Sequence, residues 1–240
     1  SSQRYNFFPN QSPFYLNTND RGTSHNFANT INSNLDWNIK EKNSLSFSVL
    51  VSQSNGTNKG KVRTDFLDSV VDYLSANNRY NVAKNQNWNT ELNTSYRRTF
   101  KDNSNDLIIA ANYGYSNRKS TPEYTQKAID INNTELNRTD LLQHNENTNL
   151  SHSGFVQADY TQPFKKSKSK LEIGYKFSLR DINSELYADS VNSSTQQIVF
   201  DNSISNQYRY NEMIHAGYVI FGGAVKKVFN YKAGVRLENT

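Results

Sequence analysis

The stretch HNFANTINSNLDWNI, residues His25–Ile39, decides the fold class of this chain. Its odd positions include Phe27, Ile31, Leu35 and Trp37, whereas its even positions are Asn, Ala, Thr or Asp. Successive side chains of a β-strand point to opposite faces, so this segment has one increasingly apolar face and one polar face. The pattern predicts a strand that lies between two different solvents.

The same alternation recurs along the rest of the chain. We place strands at residues 25–39, 44–54, 87–100, 106–118, 147–162, 170–184, 206–222 and 228–240, with a weaker ninth near Arg4–Phe8. On strand 206–222 we group the following residues on one side as its apolar face: Tyr208, Tyr210, Ile214, Ala216, Tyr218 and Ile220. The pattern predicts an all-β chain of eight or nine meandering antiparallel strands, forming a single partial barrel domain over residues 1–240.

The predicted connections fall into two alternating kinds. Short turns are expected near residues 40–43, 101–105, 163–169 and 223–227, and long loops rich in Asn, Ser and Thr near residues 55–86, 119–146 and 185–205. The apolar segment Asp65–Leu74 in the first loop fits either a short helix or an extra hairpin. Short periplasmic turns and long extracellular loops are the layout of outer-membrane barrels, so we predict a transmembrane β-barrel segment.

Strand length and aromatic placement favour the same prediction. A tilted strand crosses the hydrocarbon layer in about 9–11 residues, and most of these segments are longer. Trp37, Phe100, Tyr160 and Phe229 lie near short turns, where an interfacial aromatic belt is expected. No stretch of 18 apolar residues predicts a transmembrane helix, and Ser1–Arg4 lacks the apolar run of a signal peptide.

Composition excludes several other classes. Only 35% of residues are hydrophobic and the mean hydropathy is -0.85, but 15 Tyr and 13 Phe are too many for a disordered chain. The absence of cysteine excludes disulfides and thiolate chemistry. The net charge is +5, yet the clusters Lys165–Lys170 and Lys226–Lys227 fall in predicted turns, so we expect no nucleic-acid partner.

No motif predicts catalysis, a cofactor or a metal. The four histidines are His25, His144, His152 and His215, and none has the helical spacing of a metal-binding pair. The triplet Ser151-His152-Ser153 resembles part of a serine hydrolase, but on a strand both serines point away from the histidine. We therefore expect a protein that is not an enzyme.

Two sets of residues are candidates for binding. The polar face carries charges of both signs, which fits contact with a plug or a polar solute, or a self-neutralising network, and we favour the network. The candidate charges facing the lumen or a plug are Glu91, Arg97, Lys176, Arg180, Arg209 and Arg236. The candidate ligand-contacting loop aromatics, which could equally pack the loops together, are Tyr73, Tyr80, Tyr124 and Tyr187.

The last hairpin carries a family resemblance. It comprises His215–Phe221 and Tyr231–Glu238, and Ala233–Glu238 matches the pattern A-G-[LV]-R-x-E. This hairpin resembles the outer-membrane β-barrel family of Bacteroidota, whose members look like TonB-dependent receptors. The resemblance implies barrels of about 22 strands, so nine strands would cover less than half of one. We see neither the plug domain nor the TonB-contacting segment that such a receptor has.

Three functions remain open from the sequence. The first is the barrel part of a TonB-dependent receptor in the bacterial outer membrane, contacting membrane lipid, a plug domain and a TonB-type energising complex, and importing a solute, glycan or peptide. The second is a complete eight-stranded barrel that acts as an adhesin or structural protein, with its interior filled by side chains. The third is a soluble carbohydrate-binding β-sandwich.

Overall fold

Ten antiparallel strands form one sheet in the computed structural model. It describes residues 2–6, 14–68, 72–100, 105–130, 132, 134–136, 141–164, 167–191, 195, 197–225 and 229–240. The strands are β1 (Ser2–Asn6), β2 (Phe14–Lys40), β3 (Asn43–Leu67), β4 (Tyr73–Thr99), β5 (Asp106–Ile129), β6 (Leu141–Phe164), β7 (Ser169–Val191), β8 (Ile198–Phe200), β9 (Asn206–Val225) and β10 (Phe229–Asn239). No helix in this part of the chain is long and apolar enough to cross a membrane.

The sheet is a meander. The strand order is β1-β2-β3-β4-β5-β6-β7-β9-β10, and the short β8 pairs with β7 beyond the end of β9. Each of the eight predicted strands lies within or overlaps one of the long strands, and β1 falls at the weak ninth prediction. The prediction of an all-β, antiparallel, meandering fold is confirmed.

The predicted long loops are wrong over most of their length. Strands β2 to β7 are 23 to 27 residues long, because the hairpins continue far beyond the predicted ends. In the first of these loops, β3 stays paired with β4 up to the contact between Leu67 and Tyr73, so the described part of Asp65–Leu74 belongs to these two strands and residues 69–71 lie outside the described residues. From residue 55 to residue 65 nearly all side chains of β3 are polar on both faces, and such a strand shows no alternation for the sequence to reveal.

The opposite end of the sheet carries the predicted short turns. Lys40 pairs with Asn43 across a two-residue turn. Phe164 pairs with Ser169, and Lys168 in that turn has a φ of 52°, in the left-handed region. The other two predicted turns include residues 101–104 and 226–227, which lie outside the described residues, as does Lys165.

Successive hairpins are staggered in one direction. At the short turns, each hairpin extends further than the hairpin before it in the chain. This progressive offset means that the strands are tilted, as closing a sheet into a barrel requires. The pairs Asn43–Arg98, Asp106–Thr161 and Lys170–Gly222 join neighbouring hairpins, and β4, β6 and β9 continue past them to Thr99, Phe164 and Val225.

One face of the sheet is apolar and uncovered. A single row of the ladder runs through Leu35, Phe47, Thr94, Ala111, Val156, Phe177 and His215 on seven strands. On this face Ile31 is 69% exposed and Val235 is 69% exposed. The described residues form no second layer that would bury this face, so the soluble β-sandwich is wrong. An apolar face of this kind suits lipid.

The apolar face of β9 is not the one that the sequence analysis chose. Phe221 pairs with Leu171 and Val219 with Ile173, so the odd positions of β9 continue the apolar face of β7. Tyr218 pairs with Gly174 and therefore lies on the polar face, with the other even positions. Both sides of β9 carry apolar residues, so alternation alone does not show which of its positions lie on the apolar face of the sheet. Pairing with β7 determines this.

The sheet is open. Among the described residues, β1 covers only Phe14–Thr18 of β2, and no strand pairs with the remaining outer edge of β2 or with the outer edge of β10. The two edge strands do not contact one another. The described strands therefore do not close into the eight-stranded barrel considered above.

Candidate functional site: the polar face

Amide and hydroxyl side chains tie neighbouring strands together across the polar face. Asn93 on β4 is the centre of one such chain: its Nδ2 donates to Ser48 Oγ at 3.3 Å, and its Oδ1 accepts from Asn112 Nδ2 at 2.7 Å. The hydroxyl of Ser116 donates to Asn89 Oδ1 at 2.7 Å. Small polar side chains on this face thus satisfy each other's hydrogen-bonding groups without filling the space beside the sheet.

A tyrosine crosses a glycine near the β10 edge of this face. Tyr218 on β9 lies over Gly174 on β7 and donates its hydroxyl hydrogen to Oδ1 of Asp159 on β6. Asp159 also accepts from Gln157 Nε2 at 2.7 Å. A Cβ atom at Gly174 would collide with the phenol ring, so the absence of a side chain there is what allows the ring to reach across a strand.

Charged residues near this contact are paired. Glu172 forms ion pairs with Lys170 and, at 3.6 Å, with Lys232 on β10. Arg236 forms one with Glu238 on the same strand. Near Tyr218 the polar face therefore carries charges of both signs that neutralise each other.

Three of the candidate charges, Glu91, Arg97 and Lys176, lie on the polar face of the sheet. Glu91 accepts from Asn93 Nδ2 at 3.1 Å, and Arg97 donates to Asp106 Oδ2 at 2.8 Å. The ammonium of Lys176 lies 4.3 Å from the centre of the Phe155 ring, a cation–π contact.

Arg180 and Arg209 differ in their placement. Arg180 pairs with Glu212 on the polar face, whereas Arg209 pairs with Asn183 and lies on the opposite face, where its guanidinium is 3.5 Å from Asp181. The prediction that Arg209 faces the lumen is therefore wrong. The reason is the same as for Tyr218, because pairing with β7 determines which positions of β9 lie on the polar face.

The four predicted loop aromatics lie on strands and do not converge. The hydroxyl of Tyr73 donates to the carbonyl of Asp130 at 3.2 Å, and that of Tyr80 donates to Glu135 at 2.8 Å. The Tyr124 ring lies 4.4 Å from Arg79, and the Tyr187 ring lies 5.1 Å from that of Phe200. These contacts favour packing of the hairpin ends over a shared ligand site.

Two carboxylates lie at the end of the sheet opposite the short turns. Hydrogen bonds from Lys127 and then from Tyr80 lower the pKa of Glu135. Hydrogen bonds from the hydroxyl and amide of Ser203 lower the pKa of Asp201. Both groups thus stay ionised at neutral pH; Glu135 joins the side chains of Tyr80 and Lys127, and Asp201 accepts from the backbone amide of Ser203.

The described residues contain no group of three or more His, Cys, Asp or Glu side chains that could hold a metal. His152 lies on the apolar face, and its Nδ1 is 2.8 Å from the hydroxyl of Tyr113. Ser151 and Ser153 belong to the other face, as expected, so this triplet does not form a nucleophile and base.

The residues that the sequence analysis missed are Gly174 and Asp159 as partners of Tyr218. A glycine within an alternating strand was the available signal, because such a glycine marks a close approach by a neighbouring group. Which neighbouring side chain approaches the glycine depends on the register between the strands.

A staggered single-layer sheet with one uncovered apolar face and one hydrogen-bonded polar face is the wall of a transmembrane β-barrel. Residues 98–240, more than half of the chain, match the model of the outer membrane protein beta-barrel family. The chain belongs to this family, and its place is the bacterial outer membrane. No curated protein matches it.

Proposed function

We propose that this chain is part of the barrel of a TonB-dependent receptor that imports a solute, glycan or peptide and performs no catalysis. The observation that carries the proposal is the width of the polar wall. The eight strands β2–β7, β9 and β10 present polar side chains to one side, and the outer edge of β10 and that of β2 beyond Thr18 have no partner among the described strands. Side chains can fill the interior of a barrel of about eight strands, whereas a much wider barrel forms a channel or holds a plug.

The chemistry of the polar face supports a plug over a permanently open channel. The carboxylates of Asp106 and Glu172 are bonded to cations, and Asn93, Asn112 and Ser116 form hydrogen bonds between neighbouring strands. Such a surface can bind a folded polar domain through many weak hydrogen bonds and release it without unfolding the wall. The resemblance of the last hairpin to barrels of TonB-dependent receptors in Bacteroidota agrees with this proposal.

Conductance of the full-length gene product in a planar lipid bilayer tests the proposal. We expect almost no ion current at first, and a large current when urea at a concentration that leaves the barrel folded extracts the plug. A large current without urea would indicate an open porin. No current under either condition would indicate a barrel filled by its own side chains, and either result would overturn the proposal.

A second experiment tests energised uptake. Deleting the parent gene and deleting the energising TonB-type protein should abolish accumulation of the same compound from a panel of labelled glycans, peptides and metal chelates. A compound whose uptake needs the gene but not the energising protein would argue for passive diffusion.

A further inference from the structure

Four cations form a patch on the outward, apolar-side face of the sheet, beyond the apolar band. The patch consists of Arg21 on β2, Lys59 and Lys61 on β3, and Lys84 on β4, and all four side chains are exposed. Because Arg21 pairs with Lys61 in the ladder, two like charges stand directly opposite each other. We call this group the outer cationic patch.

The patch begins just above the lipid boundary. Trp88, a 46% exposed aromatic, marks the end of the apolar band on β4, and Lys84 lies on the same face further towards the extracellular end. Four residues of strand span roughly 13 Å, and a lysine side chain can reach back along the wall towards the headgroups. Lys59 and Lys61 follow at a greater height on the next strand.

No carboxylate among the described residues forms an ion pair with any member of the patch. Two other cations on this face have carboxylate partners: Lys119 is paired with Glu146, and Arg209 with Asp181. Glu123, on the strand next to Lys84, is 3.7 Å from His144.

Like charges directly opposite each other on neighbouring strands destabilise a sheet. An anion bound between Arg21 and Lys61 would reverse that effect, and a guanidinium beside ammonium groups suits phosphate oxygens. The patch lies on the face that contacts lipid and not on the polar face past which a solute would move. Its location therefore favours a component of the membrane over the imported cargo.

We propose that the outer cationic patch binds the phosphate and carboxylate groups of an anionic glycolipid in the outer leaflet of the outer membrane. The acyl chains of the glycolipid would lie against the apolar band below, and its charged sugars against the four cations. This proposal rests on the outer-membrane location of the family and not on solute transport.

The test uses the full-length protein and lipid A in nanodiscs. We expect bisphosphorylated lipid A to bind more tightly than its dephosphorylated form with identical acyl chains. The double variant K61Q/K84Q should bind bisphosphorylated lipid A roughly 10- to 30-fold more weakly, since each basic side chain near an anionic surface adds to binding. Its affinity for dephosphorylated lipid A should not change.

The control variant K119Q/R209Q removes the same number of charges from the same face, at positions that already have carboxylate partners. We expect this control to bind as the unaltered protein does. All the substituted side chains in K61Q/K84Q are exposed, so that variant should fold, and its heat-dependent gel mobility checks this. Single variants K61Q and K84Q, each with a smaller loss, serve if the double variant does not fold.

Three results would overturn the proposal. One is unchanged binding of bisphosphorylated lipid A by the patch variants. Another is an equal loss in the control, which would mean that total charge alone matters. The third is loss of binding to a soluble acidic polysaccharide without loss of lipid A binding, which would assign the patch to cargo.

Discussion

The hydroxyl of Tyr218 donates a hydrogen bond to the carboxylate of Asp159, although a whole strand lies between the two residues. Tyr218 belongs to β9 and Asp159 to β6, and the intervening residue on β7 is Gly174. The contact joins three strands on the polar face, in addition to their backbone hydrogen bonds. It therefore cross-links the wall near β10 through side chains.

We predict that Gly174→Ala destabilises the barrel. The added methyl group would collide with the Tyr218 ring and with Asp159, so the phenol must leave its position, at a cost of about 1–3 kcal/mol. Urea unfolding of the full-length protein in detergent measures the change. The control is Gly217→Ala on β9, where a Cβ meets nothing within 4 Å and the stability should be unchanged or slightly raised. Equal effects of both substitutions would contradict the prediction.

A second prediction concerns the hydrogen bond itself. Tyr218→Phe keeps the ring over Gly174 but removes the donor, and should lower the free energy of unfolding by about 1 kcal/mol. Combined with Asp159→Asn in a double-mutant cycle, it should show a coupling energy of about 0.5 kcal/mol or more. Strictly additive effects would mean that the two side chains do not interact in the membrane.

Labelling of single cysteines tests which positions of β9 face the lipid and which face the lumen. The chain has no cysteine of its own, so Val219→Cys and Ile220→Cys each introduce a single reactive site. Val219 shares the face of Ile173, so a fluorophore there should be quenched by lipid-attached quenchers. Ile220 shares the face of Glu172, and its label should be quenched from the aqueous lumen after urea has removed a plug. The reverse result would restore the assignment made from the sequence.

Acid should loosen the segment that contains Glu135. Its folded-state pKa is lowered, first by the hydrogen bond from Lys127, so its contribution to stability is fully present above the ordinary value of 4.5. That contribution is lost as pH falls through the lowered pKa. Hydrogen exchange of the Leu136 amide, which donates to the carbonyl of Ala128 at 2.8 Å, should therefore be less protected at low pH, after correction for intrinsic exchange.

The variant Glu135→Gln provides the control for this pH dependence. Its Leu136 amide should be weakly protected at neutral pH and should change little on acidification. An equally steep loss of protection in the variant would assign the effect to a different group.

Much of the fold was predictable because alternation is a local property. Side chains at neighbouring positions must face opposite sides of a strand, so Ile31, Leu35 and Trp37 identify an apolar face without knowledge of any partner strand. Glu91, Arg97 and Lys176 occupy polar positions of their strands for the same reason. In contrast, the extension of the hairpins, as where Thr57 pairs with Lys84, was missed, because most residues there are polar on both faces and carry no such pattern.

By itself the sequence determined that this chain is a two-faced antiparallel sheet with short turns at one end. Only the tertiary structure decided which side of β9 is apolar, how far each hairpin extends, and that Tyr218 reaches Asp159 over Gly174. The physical reason is that register is a relation between strands. A shift of one residue moves every side chain to the other face, and backbone pairing with neighbouring strands, not the composition of one strand, selects among the possible registers.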